Sequence, residues 1–119
     1  MSKTLVFGAS LNPNRYSFLA VKKLVEKNIT TVAFGKNLGT ILRVQIKDNL
    51  TDFQNVFTVT LYLNPSRQVE YYNDIVKLQP KRVIFNPGTE NPEFYKILKM
   101  NNIEVIEGCT LVMLATNQY

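Results

Sequence analysis

The sequence predicts an α/β domain, a doubly wound parallel sheet with helices on both faces. Three observations predict it. Short apolar or β-branched runs of strand length alternate along the chain with amphipathic helical patterns. The runs end in glycine, proline or asparagine turns, several of which open straight into a helix start. Finally, 119 residues with 45% hydrophobic content and modest charge suit one core, so residues 1–119 read as a single domain.

The first strand covers residues 4–7 and stops at Gly8. A loop with Pro13 flanked by Asn12 and Asn14 leads to a helix over residues 16–28. Ser17, Ala20, Val21, Leu24 and Val25 share one face of that helix, and Lys22, Lys23, Glu26 and Lys27 the other. A β-branched strand over residues 30–34 completes strand-helix-strand within about 35 residues, the size of a βαβ unit. After Gly35-Lys36-Asn37, residues 42–48 alternate apolar and polar and suit an edge strand or an extended connection. Residues 50–54 form one turn around Phe53. The third strong strand is 57–63, closed by Asn64-Pro65, with Ser66 capping a helix that reaches Gln79. Pro80 stops that helix, and residues 82–86 form the fourth strand. Asn91 caps and Pro92 begins a helix to Met100. The fifth strand is 103–106, and Gly108-Cys109-Thr110 turns into a final helix at 111–115. With right-handed crossovers these elements predict a Rossmann-like five-stranded sheet of order 3-2-1-4-5, whose switch point lies between strands one and four. The loops expected at that point are residues 8–15 and 86–90.

Composition narrows the chemistry. There is no His, which excludes a His-based triad, a His zinc site and a phosphohistidine. The lone Cys109 excludes an intrachain disulfide and fits a reducing, cytoplasmic setting. No stretch reaches the roughly 18 apolar residues of a membrane span, and no signal-peptide pattern opens the chain. The net charge of +5 suggests an anionic partner or only a basic surface. Its basic residues are scattered rather than blocked and mostly suit solvated helix faces, which argues against a nucleic-acid arm and leaves a small anionic ligand open.

Candidate ligand residues lie where strands end. Gly8 permits a sharp turn and close approach of backbone to a ligand. Ala9 and Ser10 follow it, Ser10 and Ser17 offer hydroxyls, and Arg15 is a fork-shaped cation suited to phosphate. The helix start beyond them offers free N–H groups and a positive dipole end. The stretch is neither a full G-x-G-x-x-G fingerprint, since Ser10 and Pro13 replace glycines, nor a P-loop. A plain strand-to-helix turn accounts for it equally well. Gly35 and Lys36 would face the same crevice, the alternative for Lys36 being an exposed loop lysine. Arg67 is a third rim cation, with pairing to Glu70 as its alternative.

These pieces together resemble the small bacterial CoA-binding proteins, which are similar to the CoA-binding domain of the succinyl-CoA synthetase alpha chain. The matching residues are Gly8, Ala9, Ser10, Pro13, Arg15 and Ser17, then Asn64-Pro65, then Asn86-Pro87-Gly88 with Glu90, and Gly108-Cys109-Thr110. The resemblance implies a nucleotide ligand, CoA or an acyl-CoA, with its diphosphate on the loop from Gly8 to Ser17. It implies that Lys36 lies near the phosphorylated ribose. The segment after strand two departs from the family's Pro-Val-Asn-Pro-like pattern, and Cys109-Thr110 replaces its Cys-Pro. The synthetase's catalytic half, with its histidine, is absent, so ligase activity is not carried over. No acid/base pair stands out, and Glu90 is the carboxylate expected near the crevice. The expected role is therefore binding without catalysis, regulatory or as a carrier, and no metal site is read. A mixed disulfide between Cys109 and the CoA thiol stands against simple packing of that side chain. The alternative function is an NADP-dependent, reductase-like protein, which Lys36 after strand two would suit. A nucleic-acid or protein-interaction module using Tyr16, Tyr62, Tyr71, Tyr72 and Tyr95 is weaker, because most of these tyrosines fall at core spacing or strand ends. A homodimer is left open.

Overall fold

A computed structural model describes residues 2–119. Its strands are β1 (Lys3–Phe7), β2 (Thr31–Phe34), β3 (Gly39–Ile41), β4 (Val44–Lys47), β5 (Val56–Leu61), β6 (Arg82–Phe85) and β7 (Glu104–Glu107). Its helices are α1 (Tyr16–Glu26), α2 (Pro65–Gln68), α3 (Tyr72–Leu78), α4 (Pro92–Met100) and α5 (Thr110–Ala115). The strands form one sheet of order β3-β4-β2-β1-β5-β6-β7, parallel except for the β3–β4 hairpin.

The Rossmann-like winding is present, but the sheet has seven strands rather than five. Residues 39–47 account for the difference. Their alternating pattern folds as a short hairpin, with Ile41 opposite Val44 and Leu42 at φ 45 in the turn between them. Its strand β4 then takes the third place, beside β2. This moves the switch point. The neighbour of β1 on that side is β5, not residues 82–86, so the loop after β5 faces the loop after β1.

Alternation along β1 builds two cores. Leu5 and Phe7 point to one face, where α3 and α4 cover them with Ile75, Phe94 and Leu98. Val6 points to the other, against Val21 and Leu24 of α1 and Leu114 of α5. Each of these side chains is fully or almost fully buried, a gain of roughly 1.5–3 kcal/mol for each large one.

Helix ends follow local chemistry. Helix α1 stops through Asn28 at φ 61, with the Ile29 amide donating back to the Leu24 carbonyl at 3.0 Å. The same device ends α4 at Asn102, where Ile103 donates to Leu98 at 3.0 Å. Asn91 caps α4 as read from the sequence, its Oδ1 accepting from the Phe94 amide. The expected helix from Ser66 to Gln79 differs. Asn64, not Ser66, is the cap, accepting from the Arg67 amide, and Pro65 takes the first helical position. A 3-10 turn at Val69–Tyr71 then separates α2 from α3. No helix among the described residues is long and apolar enough to cross a membrane.

At the amino ends of the strands, the Tyr119 hydroxyl meets the Thr4 hydroxyl, and the Arg82 guanidinium lies 4.6 Å from the Tyr119 ring centre. Arg82 Nε also donates to Thr58 Oγ1 at 2.9 Å. The carboxyl ends are left open.

Candidate functional site

A cleft of about 550 Å³ opens at the carboxyl ends of β2, β1, β5 and β6. One wall is the turn after β1. The Gly8 and Ala9 amides both donate to the Phe34 carbonyl, at 2.9 and 2.8 Å, clasping this turn to the end of β2. Gly8 sits at φ 96, where an L side chain is strained, and a Cβ there would press on Leu63 at 3.0 Å. Gly35 approaches so closely that a Cβ would collide with the Ala9 carbonyl oxygen. These two glycines make the cleft floor possible.

The loop beyond braces itself. Ser10 Oγ accepts from the Asn12 amide and Asn12 Oδ1 from the Asn14 amide. Helix α1 then begins with no side-chain cap and no acidic residue in its first turn. Among the described residues the Tyr16 and Ser17 amides have no acceptor, and both residues line the cleft, so free N–H groups and the positive helix end lie at its edge.

Arg15, Lys36 and Arg67 all line the cleft. None forms an ion pair or a side-chain hydrogen bond among the described residues; the ion pair present there is Lys23–Glu26 on the far surface of α1. Arg67 is therefore not bound to Glu70, and the charges of all three cations are uncommitted. Glu70 is the carboxylate that lines the cleft. Glu90 instead closes a turn, accepting from the Gly88 amide at 2.9 Å with Gly88 at φ 92.

Aromatic side chains complete the walls. Tyr71 stands edge-on to Phe7 and Phe34, with ring centres 5.2 and 5.4 Å away, which the 3-10 turn makes possible by redirecting it. Burial, and secondarily the charge of Glu70, push its pKa above the usual value. Tyr62 is pushed up to about 12, chiefly by burial, with Thr60 and Thr110 beside its hydroxyl acting in the opposite direction.

Of the residues expected at the site, Gly8, Ala9, Ser10, Arg15, Ser17, Gly35, Lys36, Asn64, Arg67, Pro87 and Gly88 line this one cleft. Pro13, Pro65 and Asn86 do not. Asn86 is buried and turned inward, its Nδ2 donating to Thr60 Oγ1 and the Leu61 carbonyl and its Oδ1 accepting from the Thr110 amide. It joins β5, β6 and α5 beneath the cleft. Cys109 is half-buried at the start of α5 and lies outside the lining. Sequence reasoning missed Tyr62 and Thr89 as lining groups, along with Glu70 and Tyr71. The strand-end position of Tyr62 was the available signal; Glu70 and Tyr71 depend on the break in the helix.

Comparisons with known proteins give the family and the fold. A family model described as a CoA binding domain matches residues 2–115. One solved structure of an uncharacterized protein is 45% identical, with all of this chain and 98% of that one covered and a TM-score of 0.96. A protein from Thermus thermophilus is 20% identical, covering 99% and 90% of the two chains, with a TM-score of 0.88. A conserved hypothetical protein from Pyrococcus furiosus is 22% identical, covering 94% and 98%, with a TM-score of 0.83. The latter two likenesses show the fold alone. No curated protein matches the chain. With nearly its whole length matched by the family model, the chain belongs to the CoA-binding domain family.

Proposed function

We propose that the protein binds CoA or an acyl-CoA in this cleft, in a regulatory or carrier role and without catalysis of its own. The observation that carries the reading is the uncapped start of α1 beside three uncommitted cations, Arg15, Lys36 and Arg67. That donor set fits a ligand with a diphosphate and a further phosphate. Arg15 and the first amides of α1 would hold the diphosphate, and Lys36 the phosphorylated ribose. The turn after β2 supplies no carboxylate to the cleft, which suits a phosphorylated ribose over a free diol. When bound, CoA supplies a thiol or thioester. The chain supplies charge, amides and an aromatic wall, but no paired acid and base, since Glu70 is the lone lining carboxylate. A cytoplasmic location suits such a ligand.

Calorimetric titration with CoA, 3′-dephospho-CoA, acetyl-CoA, NADP and ADP tests the reading. Micromolar CoA binding is expected, weakened about tenfold without the 3′-phosphate, since one charge-assisted contact contributes roughly 1.5–3 kcal/mol. Tighter binding of NADP than CoA would shift the assignment to a reductase-like nucleotide binder. Binding of none would leave the strand-end residues as turns and caps.

A further inference from the structure

The two ends of the cleft differ in charge. Arg15 and Lys36 give the β1–β2 end two cations, whereas the β5–β6 end holds one charge of each sign, Arg67 and Glu70, beside the uncharged Leu63, Pro87, Gly88 and Thr89. A ligand with an anionic half and a neutral arm therefore places its arm against the β5–β6 end. That end lacks a backbone tie of its own. The parallel ladder between β5 and β6 stops at Leu61 and Phe85, and among the described residues no backbone hydrogen bond joins residues 62–64 to 87–89.

Gln68 supplies the tie. It is fully buried, and its Nε2 donates to the Leu63 and Thr89 carbonyls, each at 2.8 Å. Its Oε1 accepts from Asn91 Nδ2 at 2.9 Å, and Asn91 in turn holds the start of α4. One side-chain amide thus sets the gap between the two loops.

We infer that Gln68 is a positioning residue for the neutral arm of the ligand, the pantetheine or acyl-pantetheine portion, acting through the Leu63 and Thr89 loops without touching the ligand's phosphates. This rests on the CoA reading above. The test compares CoA with its nucleotide half, 3′-phosphoadenosine 5′-diphosphate, by calorimetry on wild-type protein and on Gln68→Met, which keeps the length and bulk but removes the amide. CoA affinity is expected to fall about tenfold, a loss of roughly 1.4 kcal/mol, with affinity for the nucleotide half changing less than about twofold. A merely structural lesion would weaken both ligands together. Asn91→Ser retains a helix cap while removing the bond to Gln68. It is expected to show the same selective loss at smaller size, and it decides the matter if Gln68→Met does not fold. Equal loss for both ligands, or no loss for either, overturns the role of Gln68 and leaves CoA binding standing. Wild-type protein that binds neither ligand overturns the CoA reading itself, and this inference with it.

Discussion

The two walls of the cleft are held by different means. On the β1–β2 side, backbone meets backbone: two successive amides of the Gly8 turn share the Phe34 carbonyl, and Gly35 lies against Ala9. On the β5–β6 side, buried side-chain amides do the joining, with Asn86 beneath and Gln68 above. The first arrangement tolerates no added volume, because its specification is the absence of a Cβ. The second tolerates no loss of a donor, because its buried carbonyls would be left unsatisfied.

The most severe way to break the first wall is Gly35→Ala. Its new methyl meets backbone rather than a flexible side chain, so about 3 kcal/mol of stability is expected to be lost. Urea unfolding measures this; a midpoint within error of wild type would show that the turn is free to move away. Charge on the same wall is separable from its shape. Arg15→Ala combined with Lys36→Ala is expected to lower CoA affinity by about 100-fold, or about 2.7 kcal/mol, while the unfolding midpoint hardly moves. Unchanged affinity in calorimetry would place the ligand elsewhere.

The smallest effect concerns Tyr62 on the second wall. Burial raises its pKa to about 12 from 10, so the folded protein holds this proton where the unfolded chain releases it. Stability is intact below pH 10 and falls as pH rises from 10 toward 12, by at most about 1.4 kcal/mol per pH unit for this one group. Tyr95, also raised to about 12 by burial and its bond to Glu107, acts in the same direction. Comparing urea midpoints of wild type and Tyr62→Phe at pH 9 and 11 isolates the Tyr62 share. Equal alkaline losses would remove that share.

The same contrast governs what could be read from the sequence. The β1–β2 wall was legible because its signals are local: a strand, then Gly8, then a helix pattern, and Gly35-Lys36 directly after the next strand. The caps at Asn91 and Pro92 were legible for the same reason. The β5–β6 wall was not. The bond partners of Gln68 lie 5, 21 and 23 residues away, so no spacing rule singles it out from an ordinary helical glutamine. Asn86 has a strand-end address that suits a ligand contact, but the neighbouring Thr60 and the Thr110 amide turn it inward. The β3–β4 hairpin escaped because three- and four-residue strands carry too few alternations to separate a strand pair from an extended connection.

The place of β1 in the sheet has a consequence for how the chain assembles. It precedes the other strands in sequence yet lies between β2 and β5, so one of its edges stays open until residues 56–61 are available. Until then Leu5 and Phe7 lack the neighbours that will bury them. Pairing across some fifty residues must be closed before it is rewarded, which places the entropic barrier to folding in the β1–β5 register. The seam that the cleft later straddles is thus also the seam at which the two halves of the sheet join.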